Sequence, residues 1–292
     1  MSQIAESICI GLNSLFKKYP SYTAEGERYN DAEYREVTRD FKTFYGKYNL
    51  EFENKLVLDA GCGLGGKSVY YAQKGCQHLY GVDMDPRHIQ LSDEFAKENG
   101  VDNVTFQIES LEDMSFESNT FDLIFLNGVL EHIVRDKLKP ALAELRRVLK
   151  PGGKILIEFP PWSSPYAAHL YDVIYIPWCQ YLFSDQTLIN ATNQLGAPER
   201  DGDLSYTEHF MELNRCTIAE FKQMVGSLKY DVVDIDLIVV RKKEFLKKIP
   251  FFYKFFINSV HAVLSKSGPC PNRSEISPHT DSEVGSDNRI SV

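Results

Sequence analysis

The stretch Asp59-Ala60-Gly61-Cys62-Gly63-Leu64-Gly65-Gly66 stands between the apolar run Leu56-Val57-Leu58 and the helical pattern GGKSVYYAQKG, which closes on Gly75. A strand, a tight turn and a helix are the expected order, because glycines let the backbone turn sharply and let a ligand approach without meeting a Cβ. Gly61, Gly63 and Gly66 satisfy the GxGxxG spacing of dinucleotide binding, so the glycines alone leave a nicotinamide dinucleotide and a nucleoside-linked amino acid equally open. Asp59, two residues before the first glycine, separates them: a carboxylate at that strand end repels a diphosphate and attracts an ammonium. Asp59 has a second possible use as a cap for the following helix.

Outward from this turn the same rhythm repeats. HLYGVD (His78 to Asp83) leads into a helix opened by Pro86 and stopped by Asn99-Gly100, and VTFQIE follows from Val104 to Glu109. FDLIFLN (Phe121 to Asn127), a helix from about Lys137 to Leu149, the turn Lys150-Pro151-Gly152-Gly153 and KILIEFP come next. These alternations imply βαβ units, with strands apolar on both faces because helices cover both sides. The expected fold is therefore α/β, a Rossmann-like, doubly wound, mostly parallel seven-stranded sheet with N-terminal helices and an inserted aromatic lid.

Residues 1–50 are read as those helices, from Ile4, Ile8, Leu12 and Leu15, then Tyr34, Val37, Phe41 and Tyr45, at helical spacing. Residues 51–264 form the ligand-binding domain, interrupted at about 160–214, where alternation fails and PPWSSPYAAHLYDVIYIPWCQYLF is dense in rings and proline. A helix over Thr217 to Leu228, the strand YDVVDIDLIVV, a Lys- and Phe-rich helix from Lys242 to Phe256 and a last strand in VHAVLSK complete the domain. The Ser-, Pro-, Asn- and acid-rich segment 265–292 is expected to be disordered.

Lys and Arg total 32 against 41 Asp and Glu, a net charge of −9. That sign repels phosphate backbones, so a nucleic-acid substrate is not expected. The six cysteines contain no CxxC pair and read as reduced thiols. No basic leader precedes an apolar block, and no run approaches the ~20 apolar residues of a membrane span. The expected location is the cytoplasm. Residues 241–256, with lysines among phenylalanines, are a candidate for peripheral contact with a membrane surface.

VLDAGCGLGG, GVDMDP, LEDMSFESNTFDLI, NGVLEHI and LRRVLKPGGKILIEF stand in an order and spacing that resemble the class I S-adenosylmethionine-dependent methyltransferases, of the broad type that includes ubiquinone and menaquinone methyltransferases. The resemblance covers Leu56 to Pro160. It implies S-adenosylmethionine as cofactor, with the methionine end held by Asp59 and by Gly61, Gly63 and Gly65 of the turn. It also implies ribose and adenine contacts from Asp83 and Met84, an adenine edge at Ser110 and Leu111, and a methionine-facing Asn127. Relatives often carry an acid where Ser110 stands; Glu109 or backbone atoms would have to substitute.

Methyl transfer from a sulfonium is an in-line displacement, so alignment and exclusion of water matter most, and a base helps a hydroxyl or acidic carbon acceptor. His132 is the leading base, beside Glu131 after the fourth strand, with His169 in the insertion as a further candidate catalytic group. In some relatives an ExxEH motif here binds a divalent metal; Gly128 replaces its first Glu, so no metal is expected. The ring-rich insertion, with Trp162, Tyr166, Tyr175 and Trp178, suits a lid over a small, apolar organic acceptor methylated on oxygen or carbon. The competing readings are an NAD-dependent oxidoreductase, a protein that binds S-adenosylmethionine without turnover, and a nucleic-acid methyltransferase.

Overall fold

The computed structural model describes residues 2–16, 27–196, 205–240, 243–248 and 252–267. Its centre is one seven-stranded sheet in the order β3-β2-β1-β4-β5-β7-β6. The strands are β1 (Leu56–Ala60), β2 (His78–Asp83), β3 (Val104–Ile108), β4 (Phe121–Asn127), β5 (Leu149–Phe159), β6 (Asp231–Val239) and β7 (Ile257–Ser265). The first five run parallel, and β7 runs antiparallel to both β5 and β6.

Successive side chains of a strand point to opposite faces, which decides where the apolar runs go. Leu58, Ile124, Leu126, Ile155 and Ile157 face one layer, packed with Leu142, Leu145 and Phe221. Those partners lie on α5 (Leu138–Val148) and α9 (Ile218–Ser227). Val57, Leu79, Phe125 and Leu156 face the other layer, with Val37, Tyr45, Tyr70 and Tyr71, from α2 (Tyr29–Tyr45) and α3 (Gly66–Ala72). Both faces of the central strands are thus dry, and ligands are left the edge where the parallel strands end.

The two N-terminal helices part company. α2 packs against α3, but α1 (Ser2–Asn13) packs against α7 (Asp185–Gln194) of the insertion. Its Ile4, Ile8 and Leu12, and Leu15 just beyond it, are exposed, and its buried face is Glu6, Cys9 and Asn13. Polar bonds set that orientation: Asn190 and Gln194 donate to the Glu6 carboxylate, Asn13 Nδ2 donates to the Val173 carbonyl, and Asn13 Oδ1 accepts from the Tyr175 amide.

The insertion holds α6 (Cys179–Leu182), α7 and α8 (Tyr206–Glu212) around a core of its own. Leu170, Ile174, Ile176, Leu188, Tyr206 and Phe210 pack there with Cys9 of α1. α4 (Pro86–Glu98), with Asp85 as its cap and Pro86 in its first turn, covers the β2–β3 end.

Two expectations need correction. The Lys- and Phe-rich helix expected over 242–256 is not an α-helix in its described residues, which hold two short 3-10 turns, Glu244–Lys248 and Tyr253–Phe256. Trp178 Nε1 donates to the Phe255 carbonyl and the Ser163 hydroxyl to that of Lys254, so the second turn fastens the insertion instead of extending a helix. The tail drawn from 265 also begins too early. Ser265 ends β7, and Lys266 is buried, its ammonium donating to Asn119 Oδ1 and to the carbonyls of Arg146, Arg147 and Leu149 at the end of α5. Residues 268–292 lie outside the described residues. Among the described residues, no helix is long and apolar enough to cross a membrane.

Candidate active site

The turn after β1 is built by close approach. At Gly66 an added Cβ would stand 2.2 Å from the Asn30 carbonyl and 2.7 Å from Glu33 Cβ, so α2 can sit on α3 only over a glycine. Gly65, at φ +81°, would drive a Cβ into Ser92 of α4. Gly63 differs: its Cβ would meet only Glu33 Oε1 at 3.9 Å, which leaves its surface open to a ligand.

Asp59 is buried at the end of β1, and the Ser68 hydroxyl donates to its Oδ2 at 2.6 Å. Burial pushes its carboxyl up to about 6, against the opposing pull of that bond and of Lys67. Glu33, which accepts from the Gly66 amide at 3.3 Å, is pushed up to about 7 by burial. Burial pulls the Lys67 ammonium down, but Glu33, Glu36, Glu158 and Asp59 around it outweigh that and raise it. A buried acid held above its ordinary range gains most from a cation brought beside it.

Asp83, at the end of β2, accepts from the amides of Gly63 and Asp85, each at 3.0 Å, and lies 3.4 Å from His88 Nδ1. Burial pushes it up, yet these bonds outweigh burial and hold it below the ordinary carboxylate range. Its bond to Gly63 ties the second strand to the turn. Asp59, Gly61, Gly63, Gly65 and Asp83 are therefore gathered at one edge, with Met84 exposed beside them.

The remaining sequence candidates are placed differently. The Ser110 hydroxyl donates to Glu112, and the Glu109 carboxylate accepts from Gln107 and Ser115. Leu111 is buried in the layer under α5. The Asn127 amide accepts from Tyr45 and donates to Tyr71, which fixes the end of β4.

Beyond β4 the turn Leu130–His132 is stitched from below by Asn214, whose Nδ2 donates to the carbonyls of Leu130 and Ile133 and whose amide donates to that of Glu131. Glu131 is buried, its Oε2 lacks a hydrogen-bond partner, and burial followed by the nearby Glu158 pushes its carboxyl up to about 8. Its Oε1 lies 3.9 Å from His132 Nε2 and 4.0 Å from His169 Nε2, so all three candidate catalytic groups meet here. The insertion adds His209 of α8, whose Nε2 is 3.4 Å from His169 Nδ1. Trp162 lies under the Arg215 guanidinium and Trp178 is tied to Phe255, so these two rings hold the insertion in place.

Glu33, Lys67, Ser68, Asn214 and His209 were not singled out from sequence. Only Ser68 had a local signal, one turn into the helix that Asp59 precedes.

Residues 57–153 match the protein family described as "Methyltransferase domain". A probable tocopherol O-methyltransferase of Oryza sativa is 36% identical over 110 residues, 37% of this chain and 30% of that protein. Phosphoethanolamine N-methyltransferase 1 of Arabidopsis thaliana is 37% identical over 120 residues, 40% of this chain and 23% of that protein. The matched stretch thus spans less than a third of either relative. A solved S-adenosylmethionine-dependent methyltransferase of Methanosarcina mazei shares the fold, with a TM-score of 0.52 at 18% identity over 75% of this chain and 95% of that one. Residues 57–153 thus carry a methyltransferase domain.

Proposed function

We propose, from a chain that carries such a domain, that it transfers a methyl group from S-adenosylmethionine to an oxygen or carbon of a small, lipophilic acceptor. The observation that carries this reading is the open Gly63 surface ringed by the buried carboxylates of Asp59 and Glu33 and by Asp83. A diphosphate placed there would meet the like charge of three acids, whereas the cationic headgroup of a methionine would be paired.

In this reading Asp59 and the turn hold the amino-acid end of the donor, and Asp83 receives the ribose hydroxyls on the lone pairs that Gly63 and Asp85 leave. Backbone atoms of Ser110 and Leu111 edge the adenine, with Met84 against its face. The donor supplies the methyl group on a sulfonium; the chain aligns the acceptor, excludes water and accepts a proton. His132 or His169, at the far end of β4 under the insertion, takes the acceptor's proton.

The tocopherol relative favours an oxygen of a lipophilic molecule. The phosphoethanolamine relative favours a second reading, methylation of a nitrogen on a polar acceptor. Incubation with methyl-labelled S-adenosylmethionine and metabolite extracts, followed by mass spectrometry, separates these: label in the apolar fraction on oxygen or carbon supports the first, label on a polar amine the second. Binding of the donor with no labelled product from any extract would favour a protein that binds without turnover.

A further inference from the structure

We propose that His132, His169 and His209 form a binding site for one divalent transition-metal ion of the zinc class, with positions left open on the acceptor side. The three imidazoles come from three separate elements: the turn after β4, the first part of the insertion, and α8. Each offers one ligand nitrogen, and these nitrogens all lie within 4.8 Å of one another. Zinc–imidazole bonds are about 2.0–2.1 Å, so two nitrogens at corners of a tetrahedron stand about 3.3–3.4 Å apart. His169 Nδ1 and His209 Nε2 already have that separation, at 3.4 Å. From a separation of at most 4.8 Å, His132 has to close by up to about 1.4 Å to reach the tetrahedral spacing.

Two further observations point to a ligand. Ligating histidines characteristically hand their other ring nitrogen to a carboxylate that fixes the ring. Glu131 Oε1 stands 4.0 Å from His169 Nε2, the nitrogen opposite the one facing His209, and its buried Oε2 has no hydrogen-bond partner. Next, His169 is held at φ +54°, a left-handed conformation that is unfavourable for a non-glycine residue and survives where surrounding structure enforces it.

Three imidazoles select a transition metal over magnesium or calcium, which want oxygen ligands. Gly128 removes the first acid of the ExxEH pattern, and the insertion supplies imidazoles in its place. Three protein ligands leave room for water or for an acceptor oxygen. Only that last consequence rests on the methyl-transfer reading: a hydroxyl bound there would lose its proton more easily, and His132 would serve as a ligand and not as the base.

The test uses the full chain stripped with a chelator and titrated with Co²⁺, whose visible absorption reports tetrahedral coordination, then with competing Zn²⁺. One equivalent bound in the wild type, loss of the band in His169→Gln and His209→Gln, and about 10- to 100-fold weaker binding in Glu131→Gln are expected. No band in the wild type, or equal binding by the wild type and the His132→Ala/His169→Ala/His209→Ala triple variant, would overturn the site. Calorimetry with S-adenosylmethionine on the same samples keeps the two ideas apart: metal without donor binding contradicts the proposed function alone, and donor without metal binding contradicts this site alone.

Discussion

The Ser68 hydroxyl donates to Asp59 Oδ2 across 2.6 Å, joining the end of β1 to the first turn of α3 below the open face of Gly63. That bond fixes the direction of a carboxylate that burial has pushed up to about 6. The protein thus presents an oriented acid whose charge, disfavoured by burial, a cation brought beside it would stabilise.

Replacing Asp59 with Asn keeps the shape and the Ser68 partner but removes the charge. Losing one side of a buried charge pair costs about 2–5 kcal/mol, so S-adenosylmethionine affinity measured by calorimetry should fall at least about 30-fold. Asp83→Ala should act in the same direction while circular dichroism stays native. Unchanged affinity in both variants would remove the turn from donor binding.

Donor affinity should depend on pH through Asp59. The carboxylate is the binding form, and its free-protein value lies near 6, so affinity should be level above that pH. Below it, affinity should fall by up to about tenfold per unit until the pH reaches the lower pKa of the occupied state. For the unliganded protein the sign is opposite: a folded-state pKa raised above the unfolded one means that stability from this group declines as pH rises from about 4 to about 6. Calorimetry and thermal melts across pH 4 to 8, on wild type and Asp59→Asn, check both slopes; the variant should flatten each.

His132→Ala should lower kcat by about 10²- to 10⁴-fold, the usual contribution of assisted proton removal, whether the imidazole takes the acceptor's proton itself or helps hold a metal that acidifies the acceptor, with donor affinity changed far less. Steady-state kinetics on the acceptor identified by labelling, together with donor calorimetry, makes the comparison. Full activity would leave His132 a packing residue of the turn that Asn214 stitches.

Lys266→Met should destabilise the fold although it lies far from the site. Its ammonium serves three backbone carbonyls at the end of α5 and Asn119. Leaving such acceptors buried without a donor costs about 1–3 kcal/mol each before water relieves them. A denaturant midpoint clearly below wild type, with unchanged slope, is expected; equal midpoints would mean that water replaces the ammonium freely.

The sheet was legible because its signals are local. Leu56 to Ala60, Phe121 to Asn127 and Ile155 to Phe159 are apolar on both faces, and Gly61, Gly128 and Pro160 follow them directly. Asp59, Asp83 and the glycines could be picked out because strand ends announce where ligands sit. What failed to show was whatever long-range polar contacts decide. Helical spacing in α1 was visible, but Glu6 and Asn13, bonded to the insertion, turn its isoleucines outward. Lys266 read as the start of a polar tail because its four acceptors lie more than a hundred residues earlier in the chain. His209 joins His132 and His169 only because α8 comes beside the turn after β4, and no spacing in the sequence encodes that return.

If the acid-ringed turn after β1 holds the cationic end of S-adenosylmethionine, side-by-side calorimetry of the purified chain with S-adenosylmethionine and with NAD must separate the two ligands. Saturable binding of S-adenosylmethionine, weakened by Asp59→Asn, and no heat from NAD is the predicted result; binding of NAD at the same turn, with none of the sulfonium, would contradict it.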